Sequence, residues 1–223
     1  MIGFYNYTVI LTYLSLASSV SGILLLYHDP KLLPVSVGLL LFSGLCDMFD
    51  GRVARMKKRT SMEENFGGQI DSLSDMVCFG IFPAVIGYFL AGEQVWTIPF
   101  LVVFVLCGLI RLAYFDVRSI EKKYNPDAGI SNDYLGLPIT CAALLSPLLF
   151  AIRPLYFLFI GEENALGYHI FVVVAMLMTA TAFVTPFRIK KAGKKGVCCL
   201  IIFGLLLVVA AIIGNIAYQN SLT

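Results

Sequence analysis

The chain is 223 residues long, 59% hydrophobic and only 13% charged, with a net charge of +2. A soluble domain of this length carries about 25% charged residues, so that class is excluded, and no nucleic-acid partner is expected. Seven apolar stretches follow one another, and the class expected is all-α: a single polytopic transmembrane helix bundle over residues 1–223.

The first stretch, roughly Thr8–Tyr27, lacks a basic leader and a small-residue cleavage site, and reads as a retained helix rather than a signal peptide. The second, Leu33–Arg55, and the fourth, Trp96–Phe115, are expected to continue past the hydrocarbon as polar helix. The third covers Gly67–Ala91. The fifth, Gly136–Ile152, carries Pro138 and Pro147, which predicts a kink. Ala165–Phe187 and Val197–Tyr218 complete the set.

Charge fixes the expected orientation. Of 16 Lys and Arg, 14 fall in three clusters, Arg52 to Arg59, Arg111 to Lys123 and Arg188 to Lys195; only Lys31 and Arg153 lie elsewhere. With seven spans all three clusters share one side, which the positive-inside rule makes cytoplasmic together with the N-terminus. His28–Lys31, Gly92–Gln94 and Gly161–Asn164 then face out. An eighth span moves only the C-terminus. Lys57, Lys58 and Arg59 also suit attraction of anionic membrane lipid. The six cysteines (Cys46, Cys78, Cys107, Cys141, Cys198 and Cys199) sit in apolar surroundings without CxxC spacing and read as packing residues. His28 and His169 stand alone, so no zinc site is expected.

Four aspartates interrupt this apolar background. A carboxylate in a bilayer helix is costly and normally faces a cavity where it has a task. Asp47 and Asp50 are three apart and Asp71 and Asp75 four apart, so on helices each pair shares a face. Two such pairs facing each other form a cluster of hard oxygen ligands. Four anions so close need protons or divalent cations; two Mg2+ or Mn2+ ions suit an all-oxygen site that substrate phosphates complete. Gly51 lets a phosphate or sugar approach the backbone. Arg55, four residues on, presents a fork for two phosphate oxygens. Gly67 and Gly68 permit close approach at the start of the third span. The set reads as a two-metal pyrophosphate site. The structural alternative is a salt-bridged group of helix ends, with Arg52 and Arg55 neutralising acids. The functional alternative is an ion or metal transporter, although the sequence shows no repeat and the acids lie near one surface.

Asp47-x2-Asp50-Gly51-x2-Ala54-Arg55 followed by Gly67-x3-Asp71-x3-Asp75 resembles the signature of the CDP-alcohol phosphotransferases. The resemblance implies a six-helix core, here with one or two further spans, in a homodimer whose site opens to the cytoplasm. It implies transfer of a phosphoryl-alcohol unit from a CDP-linked donor to a hydroxyl, with release of CMP. By the same resemblance Asp47 and Asp71 bridge two metals, Asp50 holds one and Asp75 the other, and Asp75 is the base that takes the acceptor proton. Gly51, Ala54 and Arg55 contact the CDP. Eleven residues separate Arg55 from Gly67, where many members of the family have about eight, and many carry Ser or Thr two residues before Phe66-Gly67, where Glu64 stands here; Thr60 or Ser61 supplies that hydroxyl if the extra residues bulge.

A finer resemblance lies in Asp50-Gly51-Arg52-Val53-Ala54-Arg55, Asp71-Ser72-Leu73-Ser74-Asp75, Phe79-Gly80-Ile81-Phe82-Pro83-Ala84, Gly108-x2-Arg111-Leu112-Ala113-Tyr114-Phe115 and Tyr134-Leu135-Gly136-Leu137-Pro138. Spread over about residues 42–143, these are similar to membrane-embedded phosphatidylserine synthases. Tyr114 and Asp116 depart from the Arg and Asn common there. The implied substrates are CDP-diacylglycerol, or an archaeal ether-lipid analogue, and L-serine, in a prokaryotic cell membrane. Arg111 is then the cation that reads the serine carboxylate; taken alone, it is equally an interfacial anchor that snorkels. Asp116 is a partner for Arg111, for Arg118 or for the serine ammonium. Glycerol 3-phosphate or an inositol phosphate is the alternative acceptor, and would call for several clustered cations.

Overall fold

In a computed structural model of the chain, residues 9–54, 60–125 and 134–189 are described. They form seven α-helices: α1 (Ile10–His28), α2 (Leu33–Ala54), α3 (Ser61–Asp75), α4 (Phe82–Leu90), α5 (Ile98–Tyr124), α6 (Ala142–Ile160) and α7 (Ala165–Val184). Six stretches are long and apolar enough to cross a membrane, because α3 and α4 run into one another as a single segment, Ser61–Leu90. The six expected spans up to Phe187 are therefore present. The seventh, Val197–Tyr218, lies outside the described residues, as do Arg55, Lys57, Lys58, Arg59, Cys198, Cys199 and Lys190–Lys195.

α1 and α2 form a tight helical hairpin. Asp29 accepts a hydrogen bond from the Lys31 amide at 2.9 Å, and Pro30 opens the short 3-10 turn that reverses the chain. Small residues let the two helices approach and hydrogen-bond across the seam. The Ser18 hydroxyl donates to Leu39 O at 2.8 Å, Ser36 to Gly22 O at 2.9 Å, and Ser15 and Ser43 share a bond of 2.7 Å. Gly22 lies against the ring of the fully buried Phe82, and a Cβ there would collide with it.

The third span starts earlier than its apolar run. Thr60 caps α3 with a complete capping box: its hydroxyl accepts from the Glu63 amide, and the Glu63 carboxylate accepts from the Thr60 amide at 2.9 Å. Helix therefore begins at Ser61, six residues before Gly67, through a polar stretch that hydropathy alone leaves out. Beyond Asp75 the helix widens into a π-helical turn, Met76–Ile81, before continuing as α4. Pro83 explains the change. It lacks an amide hydrogen for the preceding turn and its ring crowds the carbonyl four residues back, so the ladder shifts register upstream.

At 27 residues, α5 is about 40 Å long and outruns a hydrocarbon core of about 30 Å, as its polar end predicts. α6 holds Pro147 and Pro154 inside the helix, whereas Pro138 stands before it. One small departure from an all-helical fold pins the entry to α6 onto the end of α7. Tyr134–Leu135 pairs antiparallel with Arg188–Ile189. The Gly136 amide donates to Phe187 O at 2.8 Å, and Leu137 to Ala182 O at 3.0 Å. Gly136 has a φ of +72° with carbonyls of α7 crowding the position a Cβ would take, so only glycine suits the turn.

The core centres on Phe79, Phe82, Phe104, Leu40, Tyr168 and Met176, all fully buried. The outer faces are also apolar, with Leu24, Val35, Val103, Ile110 and Phe159 exposed. A bundle that is apolar inside and out is built for hydrocarbon.

Candidate active site

The acids come together as their spacing predicts. α2 carries Asp47 and Asp50 near its end, and α3 carries Asp71 and Asp75 just before the π turn. Asp47 lies side by side with Asp75, and Asp50 with Asp71. Asp47, Asp71 and Asp75 each bring a carboxylate oxygen to within 4.8 Å of the others. Asp50 is only 7% exposed to solvent. A donor set made of carboxylate oxygens alone, this close together, fits a hard divalent cation such as Mg2+ or Mn2+ and offers nothing to a thiophilic one.

Space for a ligand adjoins the carboxylates. Gly51 follows Asp50 directly and is exposed, and a Cβ built there meets nothing within 4 Å; the same holds at Gly68, one turn before Asp71. Ala54 is the last residue of α2, and Arg55 falls just beyond the described residues. Ser61 is exposed in the first turn of α3, ten residues before Asp71, about 15 Å of helix rise away. Residues 61–66 are regular helix, so the expected linker bulge does not lie there. The Thr60 hydroxyl is engaged with Glu63 in the cap.

Arg111 is only 7% exposed within the bundle, with its guanidinium carbon over the Phe115 ring, 4.5 Å from the centroid. Five residues further along α5, Asp116 accepts a hydrogen bond of 2.7 Å from Ser72, which stands between Asp71 and Asp75.

The residues behind the acids were not legible as site residues. Thr12 of α1 donates from its hydroxyl to Asp50 Oδ2 at 3.3 Å, and its carbonyl accepts from the Ser74 hydroxyl at 3.4 Å. Ser15, Ser19 and Ser43 continue the hydroxyl contacts away from the cluster, and Ser15 also reaches Cys78 of the π turn. In sequence each is a lone small polar residue in an apolar helix, indistinguishable from one bonded to its own backbone. The available signal was the recurrence of Ser and Thr on one face of α1 at positions 12, 15 and 19.

Comparison with known proteins agrees with the cluster. Residues 5–187 match the family model described as CDP-alcohol phosphatidyltransferase. A CDP-diacylglycerol–serine O-phosphatidyltransferase of Saccharomyces cerevisiae is 38% identical over 112 residues, which is 49% of this chain and 40% of that protein. An enzyme of the same name from Helicobacter pylori is 31% identical over 167 residues, covering 74% of this chain and 66% of its own length. An archaetidylserine synthase of Methanothermobacter thermautotrophicus is 37% identical over 135 residues, 59% of this chain and 53% of that protein. The chain thus spans between 40% and 66% of the length of these relatives. No solved structure matches the chain significantly.

Proposed function

The chain belongs to the CDP-alcohol phosphatidyltransferase family, and on that premise we propose that it transfers the phosphatidyl group of CDP-diacylglycerol, or of an ether-lipid analogue, to the hydroxyl of L-serine, giving phosphatidylserine and CMP. The observation that carries this reading is the meeting of Asp47, Asp71 and Asp75 oxygens within 4.8 Å beside open space at Gly51. Relatives named for serine as acceptor, from yeast, bacteria and archaea, support the choice of substrate. The family match gives no support to a transporter.

Asp47, Asp50, Asp71 and Asp75 would together hold the divalent cations the donor requires. Bound there, Mg2+ or Mn2+ would neutralise the pyrophosphate and stabilise CMP as the leaving group. Gly51, Ala54 and Arg55 hold the CDP, Gly51 by leaving the backbone open to it and Arg55 by forking phosphate oxygens. Ser61, at the far end of α3, is assigned to the nucleotide end of the donor. Asp75 accepts the proton of the serine hydroxyl as the new O–P bond forms and the P–O bond to CMP breaks. No covalent enzyme intermediate is required. Arg111, enclosed and placed over the Phe115 ring, is the residue proposed to orient the serine carboxylate.

The site is assigned to the cytoplasmic side of a prokaryotic cell membrane, from the clustering of basic residues, and the active protein to a homodimer, from family resemblance. Membrane lipid supplies the donor laterally. The direct test is CMP release by the purified protein from CDP-diacylglycerol with Mg2+ or Mn2+, with and without L-serine. Serine-dependent release is expected; release indifferent to serine, or none with any alcohol, removes the proposal.

A further inference from the structure

We propose that Thr12, on the first helix, is a positioning residue for the acidic cluster, holding Asp50 and the Asp75 end of α3 in mutual register. The inference rests on the metal-binding reading above and adds a residue that lies outside the α2–α3 signature. α1 contributes no carboxylate and no cationic side chain within Ile10–Tyr27, so it acts on the site through hydroxyl and backbone groups.

Thr12 touches both halves of the cluster. Its hydroxyl donates to Asp50 Oδ2 at 3.3 Å, and its carbonyl accepts from Ser74, the residue before Asp75, at 3.4 Å. Thr12, Asp50 and Ser74 are 6%, 7% and 5% exposed, so water does not compete freely for these bonds. A carboxylate with one oxygen held by a fixed donor loses rotation about its last torsion and presents the other oxygen in a set direction. Asp50 is thereby aimed toward its neighbours Asp47 and Asp71. Donors behind metal ligands act in this way, and their loss typically weakens metal affinity about 10- to 100-fold.

Direct Mn2+ binding to the full-length protein in detergent, read from the electron paramagnetic resonance signal of free Mn2+, tests the proposal without substrate. Thr12→Val keeps the shape and removes the donor; its Mn2+ affinity should fall about 10- to 100-fold. Thr12→Ser restores the donor and should bind nearly as wild type. Ser36→Ala removes a buried bond between the same two helices about 21 Å along α2 from Asp50; it should lower thermal stability and leave Mn2+ affinity unchanged. Should Thr12→Val not fold, Thr12→Ala carries the same expectation. Wild-type affinity in the donor-less variant, with Asp50→Asn impaired, overturns the role of Thr12 and leaves the metal site standing. A Thr12→Ser protein as weak as Thr12→Val overturns it equally. A wild type that binds no Mn2+, or an Asp50→Asn protein that binds as wild type, overturns the metal reading beneath it.

Discussion

The Ser72 hydroxyl donates to Asp116 Oδ1 at 2.7 Å, which ties α3, at the residue directly after Asp71, to α5 five residues beyond Arg111. The helix that carries two of the acids and the helix that carries the proposed acceptor-reading arginine are therefore coupled by a side-chain bond. Ser72→Ala leaves a half-buried carboxylate without this donor, a loss of about 1–3 kcal/mol. A lower unfolding temperature in detergent is expected, with a raised KM for serine. Asp116→Asn keeps an acceptor oxygen and should lose less. Unchanged stability and unchanged serine KM in Ser72→Ala would dissolve the coupling.

The four carboxylates are expected to be individually indispensable. Asn in place of Asp47, Asp50, Asp71 or Asp75 keeps the size and removes the charge, and each change should lower turnover on the order of 100-fold or more. Excess chelator should abolish wild-type activity, and Mg2+ or Mn2+ should restore it. Folded Asn variants at full turnover would sink the site.

Arg111 should act on the acceptor alone. A lost charge-assisted contact costs about 1.5–3 kcal/mol, so Arg111→Gln should weaken serine use roughly 10- to 150-fold while donor KM moves little. Arg111→Lys should rescue only in part, because an ammonium cannot fork a carboxylate. Wild-type serine kinetics in Arg111→Gln would remove this role and leave the family chemistry intact.

Sidedness follows from the basic clusters. Lys122, exposed near the end of α5, and Glu163, exposed between α6 and α7, should lie on opposite faces of the membrane. A cysteine at Lys122 should react with an impermeant thiol reagent only from the cytoplasmic face, and one at Glu163 only from outside, in a background whose native cysteines are replaced. Labelling of both from one face would break the span count.

Much of this was readable from residue spacing. Hydropathy located the six spans that lie among the described residues, and the three- and four-residue spacings placed each aspartate pair on one face, because both signals are local to a helix. The true start of α3 was missed since hydropathy reports a span and not a helix; the capping box at Thr60 and Glu63 was the signal for it. The π turn after Asp75 needed Pro83 to be read for what it does to the turn before it. Thr12–Asp50 and Ser72–Asp116 join residues 38 and 44 positions apart, and no periodicity in one helix reveals which hydroxyl of another will face it.

The identity of the acceptor is the central claim, and a competition measures it most directly. Purified protein is given CDP-diacylglycerol, Mg2+ or Mn2+, and equal concentrations of L-serine, glycerol 3-phosphate and inositol phosphate, and the lipid products are resolved by mass. Phosphatidylserine should dominate, with CMP released in equal amount. Predominance of phosphatidylglycerophosphate or a phosphatidylinositol phosphate would contradict the serine assignment while leaving the family membership in place.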